Sequence, residues 1–577
     1  MPLPKVDSEA VPVNEKYDGA SHRSSIKGDS SIDAARSASQ PARRASVAAL
    51  LRNPLIGMSD AEVLADVDAF VDSRGLGDSH EIFRKGGMLA RVQQQVNGYD
   101  RLDILSAEEK DWIRHEETHR WSQPFMLYFL VTLCAGSAIV QGMDQTAVNG
   151  AQTFYFEEFN ITGVWQQGLL NGAPYLCPLL IGCWTNAPLN KLFGRRGTIF
   201  VSCIVSFITG IWMAVANSWY NLLIARFALG LAVGAKSSTT PVYAAECAPK
   251  NIRGALTMMW QMWTAFGIML GFVVSVAFQK TTIIGGPTGP WRWMLGSTSI
   301  PPLFVCLQVS SAPSLLDGLW RKATSERSGK SLWREFFMVK RNRRAAQSSF
   351  FVMFMQQFCG VNVIAYYSTQ IFMDAGFERP EALLVSLGTG VVNFLFAIPA
   401  IYTIDTFGRR NLLLTTFPMM AVCLFWCGFS FLAPDQANGD PTQAKLGSIA
   451  AAIFVFMAAY SPGMGPVPFT YSAEAFPLYI LILSLTWPAL VAAFSPTGAF
   501  AWYGAWNLFG WGFAYFLLPE TKNLTLEELD TVFSVGNRQH AKYYTDSVPW
   551  YWTKYVKRGD VEPREPMYRF FEEEVKG

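Results

Sequence analysis

The sequence predicts an all-α membrane protein: twelve transmembrane helices in two six-helix halves. Three observations predict it. Apolar runs recur along the chain, each about 18 residues or more and so long enough to cross a bilayer as a helix. Only 16% of residues are charged and 50% are hydrophobic, against about a quarter charged in soluble domains. Finally, one set of landmarks occurs twice. Gly194-Arg195-Arg196 follows the second run and Gly408-Arg409-Arg410 the eighth; Glu246-Cys247-Ala248-Pro249 follows the fourth and Glu474-Ala475-Phe476-Pro477 the tenth. Landmarks repeated at matching places in two sets of six spans mark a transporter built from two parallel repeats, with a substrate cavity between them near the midplane.

The elements follow in order. Residues 1–122 are polar and cytosolic in character, and the first fifty, Ser/Ala-rich with mixed charge, have a disordered composition. The opening MPLPKVDSEAVPVNEK has no apolar core, so it does not read as a cleaved signal peptide and the first span itself directs insertion. Arg43-Arg44-Ala45-Ser46 has the form of a basophilic kinase site, with a kinase as the implied partner at Ser46; a chance tetrad in a disordered tail explains it equally. Ser59 with Glu62, and Ser106 with Glu109, match the capping-box spacing. The second pair starts a helix through Trp112 and Ile113 close to the membrane. Spans are expected near 125–148, 163–184, 198–217, 219–244, 255–278, 293–310, 348–373, 382–404, 411–432, 447–470, 477–496 and 499–518. The eleventh is short and opens at Pro477. The chain thus divides into an N-terminal half at 123–310, a cytosolic linker at 311–346, a C-terminal half at 347–520 and a cytosolic tail at 521–577.

Orientation follows from the basic residues. Lys191, Arg195 and Arg196 share one side with Arg321, Lys322, Arg334, Lys340, Arg341, Arg343 and Arg344 and with Arg409 and Arg410, whereas the opposite loops hold Glu157, Glu158, Asp374, Glu378 and Asp435. The basic side is cytosolic, so both termini are cytosolic in a multi-pass protein of the cell membrane. The sequon Asn160-Ile161-Thr162 then lies outside, open to glycosylation, while Asn523-Leu524-Thr525 lies inside and stays unused.

The chemistry-bearing residues are few. The nine Cys are scattered, many in apolar segments, where Cys acts as a small hydrophobe; they form no disulfide framework or metal-ligand spacing. All five His fall outside the spans, which excludes His as the intramembrane proton carrier. There is no nucleophile–base set, metal motif or phosphate loop, so an enzyme is not expected, nor a cofactor, nor a nucleic-acid partner. Deep in the spans the only charged side chains are Asp144, Arg226 and Lys236. An ionisable group there is costly unless paired or hydrated and marks a transport path. An acid facing a base is a minimal proton switch.

The seventh span reads Gln356-Gln357-Phe358-Cys359-Gly360-Val361-Asn362-Val363-Ile364-Ala365-Tyr366-Tyr367. With Arg226-Phe227 and Gly230, the stretch PVYAAECAPKNIRG from Pro241, Gln261 six residues before Gly267, Asp405 to Arg410 and Pro519-Glu520-Thr521-Lys522, it resembles the sugar porter family of the major facilitator superfamily, fungal hexose transporters among them. The resemblance covers about residues 125–530. It implies a major facilitator fold and a site in which Gln261, Gln356, Gln357, Asn362 and Asn393 hold a sugar, Phe469 stands where relatives often have Trp, and Tyr366 and Tyr367 line a gate. The residue chemistry agrees, because a neutral sugar needs fixed amides and an aromatic platform. Interhelical hydrogen bonding is the other use open to such amides. On an ideal helix Gln357 and Asn362 point about 140° apart, so both reach one ligand only if span 7 is irregular at Gly360. Asp144 resembles the first-span Asp of proton-coupled relatives, with Arg226 as the expected partner, in a coupling pair or a static one. Lys236, about 15 Å further along the helix, is expected to snorkel. Arg195, Arg196, Arg253, Arg409 and Arg410 with Glu246, Asp405 and Glu474 are expected to form a cytosolic latch, Arg suiting carboxylates through its bidentate fork.

Three departures stand out. Gly182 to Arg196 contains no acid, and Lys191 falls where the second copy has Asp405. The segment after span 6 lacks the Pro-Glu-Ser-Pro-Arg signature, and Leu481 stands where an Arg is expected after Glu474. Span 11 is therefore expected to be curtailed, as in a mis-spliced gene or a degenerate paralogue. The function these observations imply is a secondary active transporter taking up a hexose or related sugar with a proton by alternating access. A polyol or other metabolite carrier, and a non-transporting sugar receptor or inactive paralogue, are the alternatives.

Overall fold

The computed structural model describes residues 58–75, 80–92, 98–119, 122–123, 125–177, 183–247, 253–281, 289–311, 340–436, 441–468, 478–521, 532–533 and 535–557. It is helical, with no strand among the described residues. Ser46 and the rest of the first fifty residues, most of the linker, Phe469 and Glu474 lie outside them.

A short helical module precedes the spans: α1 (Asp60–Arg74), α2 (His80–Val92) and α3 (Ala107–Thr118). Both capping boxes form. The Ser59 amide donates to Glu62 Oε2 at 2.7 Å and the Ser106 amide to Glu109 Oε2 at 2.8 Å, and each Ser hydroxyl accepts the reciprocal bond. Arg84 joins α2 to Asp68 of α1, and Lys85 reaches both Glu81 and Glu109 at 2.9 Å.

The spans follow the predicted order. Span 1 is α4 (Phe125–Glu158) and span 2 is α5 (Val164–Cys177). The helical stretch α6 (Cys183–Ala214) carries the first Gly-Arg-Arg loop and span 3, broken at Gly194. Spans 4 and 5 are α7 (Trp219–Cys247) and α8 (Arg253–Phe278). Span 6 is split into α9 (Pro290–Gly296), a 3-10 turn and α10 (Ile300–Ser311), and span 7 into α11 (Lys340–Phe358) and α12 (Val361–Ala375). Span 8 comprises α13 (Arg379–Ala397) and α14 (Ala400–Thr406); spans 9 and 10 are α15 (Arg409–Ser430) and α16 (Gln443–Tyr460). The last two spans form one stretch, α17 (Leu478–Leu517), broken at Ser495 with φ 63° and ψ 166°. Pro496 follows, and proline disfavours the α conformation in its predecessor. The helix before this break is about 25 Å long, less than the ~30 Å of a hydrocarbon core, in keeping with a short span 11. Among the described residues, eight helices are long and apolar enough to cross a membrane.

Span 1 packs on span 5 and span 3 on span 4, and the halves meet where span 1 faces span 7 and span 5 faces span 8. The crossing of spans 1 and 5 is set by two glycines. A Cβ on Gly142 would lie 2.1 Å from the Thr264 carbonyl oxygen, and one on Gly267 would lie 2.3 Å from that of Ile139. Gly267 and Gly271 have the spacing that lets transmembrane backbones approach closely, and Thr146 Oγ1 donates to Ile268 O across the gap at 2.9 Å. This contact fixes the depth and facing of Asp144, two residues after Gly142.

Candidate functional site

The substrate-side candidates gather around a break in span 7. Its first helix ends at Phe358, Gly360 takes φ 98°, and the second helix begins at Val361. Only glycine adopts that conformation without penalty, and the break removes the azimuth conflict between Gln357 and Asn362: Asn362 Nδ2 donates to Gln357 Oε1. Gln357 Nε2 lies 3.4 Å from Gln356 Oε1, and Gln356 Nε2 lies 3.4 Å from the Gly465 carbonyl. A Cβ on Gly465 would meet Gln261 at 3.5 Å, so the span 5 amide lies against the same turn. On span 8, Asn393 Oδ1 accepts from Ser461 Oγ at 2.7 Å, while its buried Nδ2 has no partner among the described residues. The structure therefore brings Gln261, Gln356, Gln357 and Asn362 to one region around Gly465, and leaves Asn393 with an unused donor.

Asp144 is buried, as are Arg226 and Lys236, but the pairing differs from expectation. Asp144 Oδ2 lies 3.8 Å from Lys236 Nζ. Arg226 instead donates from Nε to Leu170 O at 2.6 Å and from Nη2 to Asn171 O at 3.2 Å. The reason lies in span 2. Pro174 sits inside that helix and has no N–H for the carbonyl four residues back, which belongs to Leu170. In a bilayer such an orphan must find a partner within the protein, and Arg226 supplies it. Lys236 does not snorkel: it is fully buried, with Ser206 Oγ 3.4 Å from Nζ.

Tyr366 and Tyr367 belong to a buried seal between spans 1, 2 and 7. Tyr366 meets Tyr175 hydroxyl to hydroxyl, and Tyr367 is buried one residue on. The seal also contains Asn149, Gln152 and Asn171, which are not among the expected site residues. Asn149 Nδ2 donates to Ala365 O at 2.9 Å and Ser368 Oγ at 2.7 Å, and Asn149 Oδ1 accepts from the Thr369 amide at 3.1 Å. One carboxamide thereby takes both ends of a rung that an α-helix normally closes by itself. Gln152 Nε2 donates to Tyr366 O at 2.9 Å, and Asn171 Nδ2 donates to Gln152 Oε1 at 2.8 Å. The signal was present: an Asn and a Gln three apart on one face of an apolar helix.

Arg196 and Arg410 of the expected latch are seen in other contacts. Arg196 donates to Val309 O at 2.8 Å and Ser310 O at 2.9 Å, and Arg410 to Tyr515 O at 2.7 Å. Both guanidinium groups therefore hold backbone carbonyls near the end of their own half's last helix rather than a carboxylate. The carboxylate at the second loop is Glu520, which accepts from the backbone amides of Arg409 and Arg410 at 3.0 Å each. Arg409 Nη1 donates to Ile404 O at 3.2 Å, and Arg195 is half-buried. The side chains of Glu246, Arg253 and Asp405 lie outside the described residues. Asn160 is exposed after span 1, with φ 51°.

The sequence matches the family described as "Sugar (and other) transporter" over residues 131–314 and 315–533. It is 28% identical over 459 residues to the probable polyol transporter 6 of Arabidopsis thaliana, covering 69% of this chain and 92% of that protein. It is 27% identical over 457 residues to the arabinose-proton symporter of Escherichia coli (strain K12), covering 72% and 94%. Its fold is that of the xylose transporter XylE from E. coli in a partially occluded inward open conformation, with a TM-score of 0.57 at 23% identity over 70% of this chain and 100% of that one.

Proposed function

This chain belongs to the sugar transporter family, and we propose that it takes up a hexose or related neutral sugar together with a proton by alternating access. The observation that carries this reading is the amide cluster at the broken span 7, facing a half of the bundle that buries a carboxylate. Gln261, Gln356, Gln357, Asn362 and Asn393 offer paired donors and acceptors, the complement of a ring of hydroxyls. Asn393 Nδ2, buried and unpartnered, supports a ligand there, since buried polar groups are otherwise satisfied. Asp144 carries the proton, with Arg226 as part of the same charged cluster. Tyr366 and Tyr367 gate the side remote from the Gly-Arg-Arg loops, and Phe469 supplies the platform. The basic loops support cytosolic termini in a cell-membrane protein, with Asn160 outside and open to glycosylation, Ser46 inside and open to a kinase, and halves bounded as 123–310 and 347–520.

Labelled-hexose uptake tests the reading. Uptake rises with external acidity and collapses with a protonophore, and Asp144→Asn abolishes accumulation. Concentrative uptake by that variant would remove the coupling role. Gln357→Ala and Asn362→Ala weaken sugar binding; unaltered affinity in both would remove the site. A polyol substrate is the second reading, supported by the similarity to a polyol transporter, and competition by polyols separates the two. Lys191, where an acid is expected, favours a receptor without transport if sugar binds and no uptake follows.

A further inference from the structure

We infer that Lys236 is the counter-ion of Asp144, released when that carboxylate takes up a proton, and that Arg226 is a fixed structural clamp. The inference rests on the proposed coupling role of Asp144. Lys236 is wholly buried, and Asp144 is its only acidic neighbour among the described residues, at 3.8 Å. A buried ammonium without an anion is strongly unfavourable, so the two charges depend on each other. Arg226 is differently occupied. Two of its nitrogens hold Leu170 and Asn171 carbonyls, and withdrawing them would leave the carbonyl freed by Pro174 without a donor. It can sense the charge on Asp144 but cannot follow it.

Among the described residues Asp144 Oδ2 accepts no hydrogen bond, so protonation there breaks none, and the 3.8 Å contact to Lys236 is longer than the roughly 2.7–2.9 Å of a hydrogen-bonded ion pair. The groups that face it are Lys236 and Arg226 from span 4, Tyr175 from span 2 and Tyr366 from span 7. Lys236 is faced in addition by Ser206 and Cys203 of span 3. One proton from water adds to the Asp144 carboxylate and the cluster gains one positive charge. Lys236 is then an ammonium held only by the Ser206 hydroxyl. It lies about 16 Å from the end of span 4 at Cys247. Movement of span 4 against spans 1 and 3 is therefore the step that protonation drives.

The test uses the full chain in proteoliposomes, with labelled hexose, an imposed pH gradient and counterflow exchange. Lys236→Met removes the ammonium beside Asp144 and leaves Arg226, held by the span 2 carbonyls, as the cation that faces it. Its uptake then loses the rise with external acidity and accumulation falls to simple equilibration, while Lys236→Arg keeps the pH profile. A Lys236→Met protein with the parental pH profile and accumulation, beside an Asp144→Asn protein that has lost both, overturns the role of Lys236 alone. Asp144→Asn with retained accumulation overturns the coupling reading and this inference with it. If Lys236→Met lowers the yield of folded protein, the double variant D144N/K236M restores it where the charges pair; a double variant no better than the single one overturns the pairing.

Discussion

The two Gly-Arg-Arg loops are copies of one motif held in place in different ways. In both, the second arginine reaches back to the last helix of its own half: Arg196 to Val309 and Ser310, Arg410 to Tyr515. That task needs only backbone carbonyls, which every sequence provides, so it survives divergence between the halves. The C-terminal loop has two further fasteners. Glu520 spans the amides of Arg409 and Arg410, N–H groups at the start of span 9 that the helix's own ladder does not use. The tail helix α18 (Asn537–Thr545) covers the loop, with Arg410 stacked 3.9 Å over the Tyr544 ring. Glu520 stands five residues after Tyr515; five residues after Val309 stands Ser314, outside the described residues. The N-terminal copy thus has Lys191 where the C-terminal loop has Asp405, and Ser314 at the register of Glu520. The lesson is that helix-end carbonyls and helix-start amides are separable parts of one joint.

The largest effect is expected from Arg410→Ala, which removes a charged hydrogen bond and the ring contact together, about 3 kcal/mol in all. A fall in thermal stability of the purified protein, with the tail released to protease, is the expected outcome; an unreleased tail would separate the two fasteners. Arg196→Ala loses carbonyl bonds only, about 2 kcal/mol, and moves no tail. Equal proteolytic release in both variants would break the comparison. Smaller still is the anion at the helix start. Glu520→Gln costs about 1 kcal/mol, and Ser314→Glu returns up to about that much to the N-terminal half. No gain from Ser314→Glu, beside a clear loss from Glu520→Gln, would show that the N-terminal loop no longer presents the amides its twin does.

How much of this was legible in sequence depends on the kind of information each feature needs. Span count and order follow from hydropathy, and the break at Gly360 follows from two amides that a regular helix would point apart. The capping boxes follow from spacing alone. The partner of Asp144 does not. Composition tells which charges are buried, but Arg226 and Lys236 lie on one helix, and only the crossing at Gly142 and Gly267 decides which depth Asp144 shares. Pro174 was the missed clue, since a proline inside a span announces a carbonyl in need of a donor. Asn149 and Gln152 were passed over because a lone amide in a span reads as interhelical packing, and only its opposite side, the span 7 backbone, shows what it grips. Glu520 was visible as a motif, but its target is a backbone, which carries no sequence signal.

The smallest expected effect concerns the fastener that the N-terminal half lacks altogether. His540 of α18 is buried, its Nδ1 lies 2.9 Å from Phe516 O, and its Nε2 has no partner. Since a carbonyl only accepts, Nδ1 carries a proton, and burial favours the neutral ring. Burial pushes its pKa from 6.5 down to about 4; the Phe516 carbonyl opposes this, and Arg344 and Arg410 nearby add to it. The released tail binds its proton near the ordinary value, so between these two values the undocked state holds more protons than the docked one. By linkage, docking strengthens as pH rises through this window, is complete above the ordinary value, and is lost progressively as pH falls toward 4. Protease protection of the tail should therefore be weaker at pH 5 than at pH 7 in the parent chain and independent of pH in His540→Asn. A parent tail equally protected at both values would mean that α18 is held by Arg410 and Tyr544 alone.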